Sequence, residues 1–243
     1  MQIKRPKVKK ADPEFLEKLL PLFNSVEKYF RYRVFGLEKI PSGRALVVMN
    51  HGIIPYHGFL LAKKFFEARG QVPRGLGAEF LFMVPGLREF FHKGGALNAS
   101  PENGERLLNE DQTVFIAPGG IYEALLAKQG LRRIPWERRK GFVELAIKTK
   151  SPIVPTYCAG INRAYLNSYF LLKPRIKLLE KIRFSLPLFL GIGLLPFPVK
   201  LLHRVGNPIS IHRRKKESEQ AQIDRIHGRV MVEMRKLARI EDK

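Results

Sequence analysis

Ala45-Leu-Val-Val-Met-Asn50-His51-Gly-Ile-Ile-Pro55-Tyr-His57 is an apolar run that stops abruptly at an amide and an imidazole. Its five opening apolar residues, two of them β-branched, predict a buried strand that the chain leaves at Asn50-His51-Gly52. A rigid sheet holds the loops at its strand ends in place, and such loops carry function disproportionately. His51 is therefore a candidate base and Asn50 a candidate substrate contact, although a strand-end histidine is as often a satisfied structural residue.

A second stretch, Thr113-Val-Phe-Ile-Ala-Pro118-Gly119-Gly120-Ile121-Tyr122-Glu123, follows the same plan: a short apolar strand, a Pro-Gly-Gly break, then a helical pattern from Ile121. Glycines let a backbone approach a ligand closely, and a first helical turn presents unpaired N–H groups to whatever lies in front of it. Residues 118–122 thus form a candidate site for developing negative charge. A plain strand-to-helix turn is the simpler reading of this segment alone.

Around these stretches the chain alternates. Residues 59–68 predict a helix ended by Gly70, 71–76 a short strand, and 79–91 a helix broken at Pro85-Gly86. Ser100-Pro101 starts a helix to about Asn109, residues 140–148 predict another, and Ser151-Pro-Ile-Val-Pro-Thr-Tyr-Cys158 a buried strand. One more strand falls within 200–211, and a final helix runs over about 217–240 with Ile223, Ile226, Val230, Met234 and Leu237 on one face. This order predicts an α/β fold: a mostly parallel central sheet with flanking helices.

The ends differ in character. Residues 1–10 read as a basic arm, and 13–35 as an amphipathic helical segment that Pro21 kinks or divides. Such a segment lies in a membrane interface or packs on its own domain. Glu14, Glu17 and Lys18 interrupt what would be the core of a secretory signal, so none is expected. Residues 184–199 are sixteen without a charge but hold three prolines and two glycines, which rules out a spanning helix. They form a lipid-facing or substrate-covering loop, or a core element broken by turns.

The formal net charge of +22 favours an anionic partner, whether lipid headgroup, phosphorylated substrate or nucleic acid. The basic residues are scattered over many segments rather than interleaved with aromatics on one face, so nucleic acid is not expected. The single cysteine, Cys158, excludes an internal disulfide.

His51-Gly-Ile, Pro118-Gly-Gly-Ile-Tyr-Glu123-Ala-Leu, Arg139-Lys-Gly-Phe-Val-Glu-Leu-Ala146 with Ile153-Val-Pro-Thr-Tyr-Cys-Ala-Gly160, and Val205-Gly-Asn-Pro-Ile209 stand in one order along the chain. In that order they resemble the lysophospholipid-acyltransferase-like enzymes, in detail the diacylglycerol and monoacylglycerol acyltransferase branch, over residues 36–211. The resemblance implies a glycerolipid-acyltransferase-like fold. It divides the chain into a membrane-associating segment, 1–35, and an acyltransferase domain, 36–243. It also implies transfer of a fatty acyl group from acyl-coenzyme A or an acyl carrier protein to a lipid hydroxyl. The enzyme would sit peripherally on the cytoplasmic side of an anionic membrane surface, with no metal and no bound cofactor.

On that reading His51 is the general base, and backbone N–H groups of Gly119, Gly120 and Ile121 hold the oxyanion. Two departures follow. The phospholipid-making branch places an aspartate five or six positions after the histidine, where this chain has Tyr56 and His57; the orienting partner is then Glu123 or His57. Phosphate-binding relatives carry arginine where Tyr122 stands, which favours a neutral acceptor such as diacylglycerol or a long-chain alcohol over a lysophospholipid. Arg139 and Lys140 are candidates for the phosphates of coenzyme A. A non-catalytic membrane- or nucleic-acid-binding relative is the remaining alternative.

Overall fold

The structure is a computed structural model that describes residues 11–128, 133–182, 185, 188–192 and 195–239. Its strands are β1 (Arg33–Phe35), β2 (Ala45–Met49), β3 (Arg74–Gly77), β4 (Leu97–Asn98), β5 (Thr113–Ile116), β6 (Ile153–Ala159), β7 (Leu166–Ser168), β8 (Leu188–Leu190) and β9 (Leu202–Val205). Its helices are α1 (Pro13–Tyr29), α2 (Tyr56–Arg69), α3 (Phe80–Met83), α4 (Leu87–Lys93), α5 (Pro101–Asn109), α6 (Gly120–Leu126), α7 (Gly141–Thr149), α8 (Leu172–Ile182) and α9 (Glu219–Arg239).

Seven strands form one sheet in the order β1-β9-β6-β2-β5-β3-β4. The run from β6 to β4 is parallel, while β9 is antiparallel to β6 and β1 parallel to β9. β2 lies at the centre with all five residues buried. Its side chains alternate between two cores, as the two-residue period of a strand requires. Leu46 and Val48 pack with Leu107 and Leu108 of α5, Val143 and Ala146 of α7, and Ile226, Val230 and Met234 of α9. Ala45, Val47 and Met49 pack on the other face with Leu61 and Phe65 of α2. Burying each such leucine or valine contributes about 1.5–3 kcal/mol, so the uninterrupted apolar run pins β2 between two helical layers.

Helix boundaries follow local chemistry. Ser100 Oγ accepts the Asn103 N–H, Pro101 occupies the first turn, and α5 ends at Asn109. The break at Pro85-Gly86 separates α3 from α4. α2 begins at Tyr56, directly after Pro55, three residues before the expected start. The five apolar residues expected along the final helix are all buried in α9.

The N-terminal segment departs from expectation. α1 carries Pro21 without dividing, but ends at Tyr29, and residues 33–35 form the edge strand β1 instead of continuing the helix. Arg31, with φ 44°, takes the left-handed conformation that turns the chain from one to the other. α1 packs on its own domain through Phe23 stacked on Phe59 and Phe15 edge-on to Phe90, and leaves Leu22 exposed. The basic arm 1–10 lies outside the described residues.

Residues 165–182 show no clear periodicity, yet form β7 and α8. Side-chain to backbone bonds hold them: the Asn167 amide donates to the carbonyls of Leu125 and Ala127, and Arg175 Nη1 to that of Ser168. Within 184–199, β8 pairs antiparallel with β7. Phe189 packs edge-on to Tyr165, while Leu188, Leu190, Ile192 and Leu195 are exposed, so one side of this stretch joins the core and the other faces outward. Among the described residues no helix is long and apolar enough to cross a membrane.

Candidate active site

β2 and β5 are parallel neighbours, with Val48 opposite Ile116. Asn50-His51 and Pro118-Gly119 therefore leave adjacent strands at the same level, on the carboxyl end of the sheet. Asn50 is buried and continues the ladder with its side chain: Nδ2 donates to Cys158 O at 3.1 Å, and Oδ1 accepts the Cys158 N–H at 2.8 Å. This reciprocal pair ties the end of β2 to β6 and fixes where His51 begins. Gly52 then turns the chain with φ 74°, and a Cβ there would come within 2.6 Å of Ile161, so glycine is required on both counts.

His51 is partly buried. Its Nδ1 lies 2.5 Å from Gly52 O. A carbonyl oxygen only accepts, so Nδ1 carries the proton and Nε2 keeps its lone pair. Burial pulls the imidazole below the ordinary histidine range, and the Gly52 carbonyl only partly restores it. His51 is thus neutral at pH 7, with one basic nitrogen that has no partner among the described residues.

Glu123, in the first turn of α6, is buried. Burial raises its carboxyl to about 7, against the lowering effect of two donors: Trp136 Nε1 at 2.8 Å and the backbone N–H of His51. The carboxylate occupies the space where a Gly119 side chain would lie. Glu123 is therefore anchored by Trp136 and acted on by the nearby His51 main chain, whereas the His51 ring nitrogen is held by Gly52. His57, at the start of α2, is fully buried; its Nε2–H donates to Asn50 O at 2.7 Å, and its Nδ1 has no partner among the described residues. Burial lowers its pKa to about 3. Behind it, 5.3 Å away centroid to centroid, lies His203, hydrogen-bonded to Tyr32 Oη and Thr156 Oγ1.

In the Pro118 turn, the Gly120 N–H is used by Ala117 O at 3.0 Å. The N–H groups of Gly119 and Ile121 have no acceptor among the described residues. The Arg139 guanidinium lies 5.7 Å from the centre of the Tyr122 ring, and Lys140 Nζ is paired with Asp224 at 2.6 Å. Arg139 and Tyr122 are thus brought together, while Lys140 is drawn toward α9.

Sequence reasoning missed Trp136. It is fully buried, it anchors Glu123, and its own carbonyl accepts from His227 Nε2 of α9 at 2.9 Å. The signal was present: it is the single tryptophan, and a buried indole N–H needs an acceptor.

The architecture is that of a glycerolipid acyltransferase. The crystal structure of the 1-acyl-sn-glycerophosphate (LPA) acyltransferase PlsC from Thermotoga maritima matches with a TM-score of 0.55, covering 94% of this chain and 85% of that one at 16% identity. The diacylglycerol acyltransferase family model matches residues 18–241, and the chain belongs to that family. A mouse relative, "DGAT1/2-independent enzyme synthesizing storage lipids", is 34% identical over 211 residues, covering 82% of this chain and 61% of that protein. The human protein of the same name is 32% identical over 216 residues, covering 82% and 64%. Diacylglycerol O-acyltransferase 2 of Dictyostelium discoideum is 32% identical over 162 residues, covering 60% and 48%. The chain spans less than two thirds of the length of these relatives.

Proposed function

We propose that this chain is an O-acyltransferase that moves a fatty acyl group from a thioester, acyl-coenzyme A or an acyl carrier protein, to the hydroxyl of a neutral lipid. The observation that carries this reading is His51: neutral, with Nδ1 spent on Gly52 O and Nε2 bare, at a strand end beside the Pro118-Gly119 turn. His51 Nε2 takes the proton of the acceptor hydroxyl as its oxygen attacks the thioester carbonyl carbon. The tetrahedral oxyanion is stabilised by the N–H groups of Gly119 and Ile121, since that of Gly120 is already used. Its collapse breaks the carbon–sulfur bond, and the departing thiolate recovers the proton from His51. The donor is a substrate, and the scheme uses neither a metal nor a resident cofactor.

Tyr122 supports a neutral acceptor, because an aromatic ring stands where a phosphate reader would be needed. Arg139, stacked on that ring and free of carboxylates among the described residues, is placed to meet a phosphate of coenzyme A. A peripheral position at a membrane is supported by exposed Phe170, Leu171, Leu188, Leu190 and Leu195 on and around the β7–β8 pair, with the lysines of α8 alongside. Thiol release from acyl-coenzyme A in the presence of mixed lipid alcohols tests the reading. Turnover by the unmodified chain that is lost in His51→Ala supports it; equal thiol release by both would refute it.

A further inference from the structure

A cleft of about 710 Å3 lies between α1, α2 and the start of β1, and none of its lining residues belongs to the His51 site. Its rim carries Lys28 at the end of α1, Arg31 in the turn, Arg33 on β1 and Lys200 just before β9. Backbone pairing assembles them: Arg33 N donates to Leu201 O and Leu201 N to Phe30 O, each at 3.0 Å, which sets residues 31–33 beside Lys200.

The floor is electrically closed. Lys63 pairs with Glu27 and Glu67, and Lys64 with the same two carboxylates at 2.6 and 3.2 Å. Two ammonium groups and two carboxylates cancel, so neither glutamate is left to neutralise the rim. The four rim cations have no ion pair or side-chain hydrogen bond among the described residues. Converging like charges without counter-charges oppose folding, and an anion in the cleft removes that opposition. The left-handed backbone at Arg31 keeps a side chain where glycine is the easier residue. Both arginines line the cleft, and a guanidinium can grip the oxygens of a phosphate in a bidentate fork.

We propose that this cleft binds a phosphate-bearing anion, with Arg31 and Arg33 forking its oxygens and Lys28 and Lys200 adding positive charge. Two sources share that chemistry: a soluble diphosphate, or the phosphomonoester headgroup of a lipid in a bilayer. The test titrates the full chain with inorganic pyrophosphate in one arm. In the other, the chain is sedimented with phosphatidylcholine vesicles with and without phosphatidate. Saturable binding in the first arm assigns a soluble ligand, and phosphatidate-dependent binding in the second alone assigns a lipid.

In either arm the Arg33→Gln/Lys200→Gln variant should bind at least about tenfold more weakly, since charge-assisted contacts dominate such binding. Lys236→Gln on α9 should bind normally. Arg31→Asn/Lys28→Gln is the second variant should the first fail to melt cooperatively, because asparagine tolerates the left-handed backbone. Binding should persist in His51→Ala, which separates this site from the acyl-transfer reading. No saturable binding in either arm, or equal affinity in the rim variants and the unmodified chain, overturns the proposal.

Discussion

The Glu123 carboxylate accepts from Trp136 Nε1 at 2.8 Å and lies beside the His51 main chain, while the His51 ring is bonded to Gly52 O. A histidine acting as general base, the role proposed for His51, needs a third group to orient it, and here the orientation is divided. Gly52 O selects the tautomer, while Glu123, braced by Trp136 Nε1, lies beside the main chain from which the ring projects. Glu123 is therefore a positioning residue. His57 acts one step further back, through the Asn50 carbonyl.

Removing the proposed base should lower turnover sharply without unfolding the chain. His51→Ala is expected to lower kcat by about a hundredfold or more, the usual worth of general-base catalysis. Because burial depresses the His51 pKa, the base form persists below the ordinary histidine range. The acid limb of kcat/KM against pH should accordingly lie below about 6.5. An acid limb above that value would assign the base elsewhere.

Glu123→Gln tests this positioning. A glutamine oxygen can still accept from Trp136 Nε1–H, but its NH2 then faces the His51 main chain in place of a carboxylate oxygen. The expected outcome is a fall in kcat of about tenfold or more with little change in KM, since geometry around the reacting atoms is lost while substrate binding is kept. Stability carries a separate signature. The folded carboxyl sits at about 7 against an ordinary value of 4.5, so its favourable contribution is complete below 4.5 and is lost as pH rises through 7. Urea unfolding of both proteins at each pH should show the unmodified chain losing up to about 3 kcal/mol relative to the glutamine variant between those limits.

His57 predicts the opposite slope. Its folded pKa of about 3 lies below the ordinary 6.5, so the stability it contributes is present above 6.5 and lost as pH falls toward 3. The loss reaches about 5 kcal/mol for full titration of this one group. His57→Gln should flatten the acid limb of the stability curve, measured by urea midpoints. An unchanged acid limb would show that other groups govern acid unfolding.

Two glycines of the site admit no side chain. At Gly52 a methyl group meets both a left-handed backbone and Ile161, and at Gly119 it meets the Glu123 carboxylate. Gly119→Ala should displace Glu123 and reduce turnover about as far as Glu123→Gln does, while Gly52→Ala should also lower the melting temperature. Each substitution costs on the order of 1–3 kcal/mol through overpacking or backbone strain. Gly120, with open space at its Cβ position, should accept alanine with only its left-handed strain.

The acceptor pocket can be tested by charge. Tyr122→Arg places a guanidinium where Tyr122 now supports Arg139, and should shift kcat/KM toward lysophosphatidate and away from diacylglycerol by about tenfold or more. A preference for the phosphorylated acceptor in the unmodified chain would refute the neutral-lipid assignment.

Much of this molecule follows from local pattern. The apolar run 45–49 dictates a central strand because no face of it can be left to water, and Ser100-Pro101 dictates a helix start through one hydroxyl and one fixed φ. The order of strands and helices then yields a mostly parallel sheet. The same pattern names His51 and Pro118-Gly119 as strand-end residues of adjacent loops.

Tertiary structure alone decided how those residues are used. Which oxygen the His51 ring meets, whether Glu123 reaches a ring or a main chain, and which donor braces Glu123 depend on contacts between segments with no periodic signature: Trp136 arrives from a loop and Gly52 from a left-handed turn. The same holds for β1, whose three residues read as the end of a helix until β9 offers them a partner, and for the rim cations of the cleft, which meet only because that pairing sets residues 31–33 beside Lys200. Periodicity reports the face a segment must bury. Partner choice among buried polar groups is set by which donors and acceptors the packing brings within about 3 Å of each other.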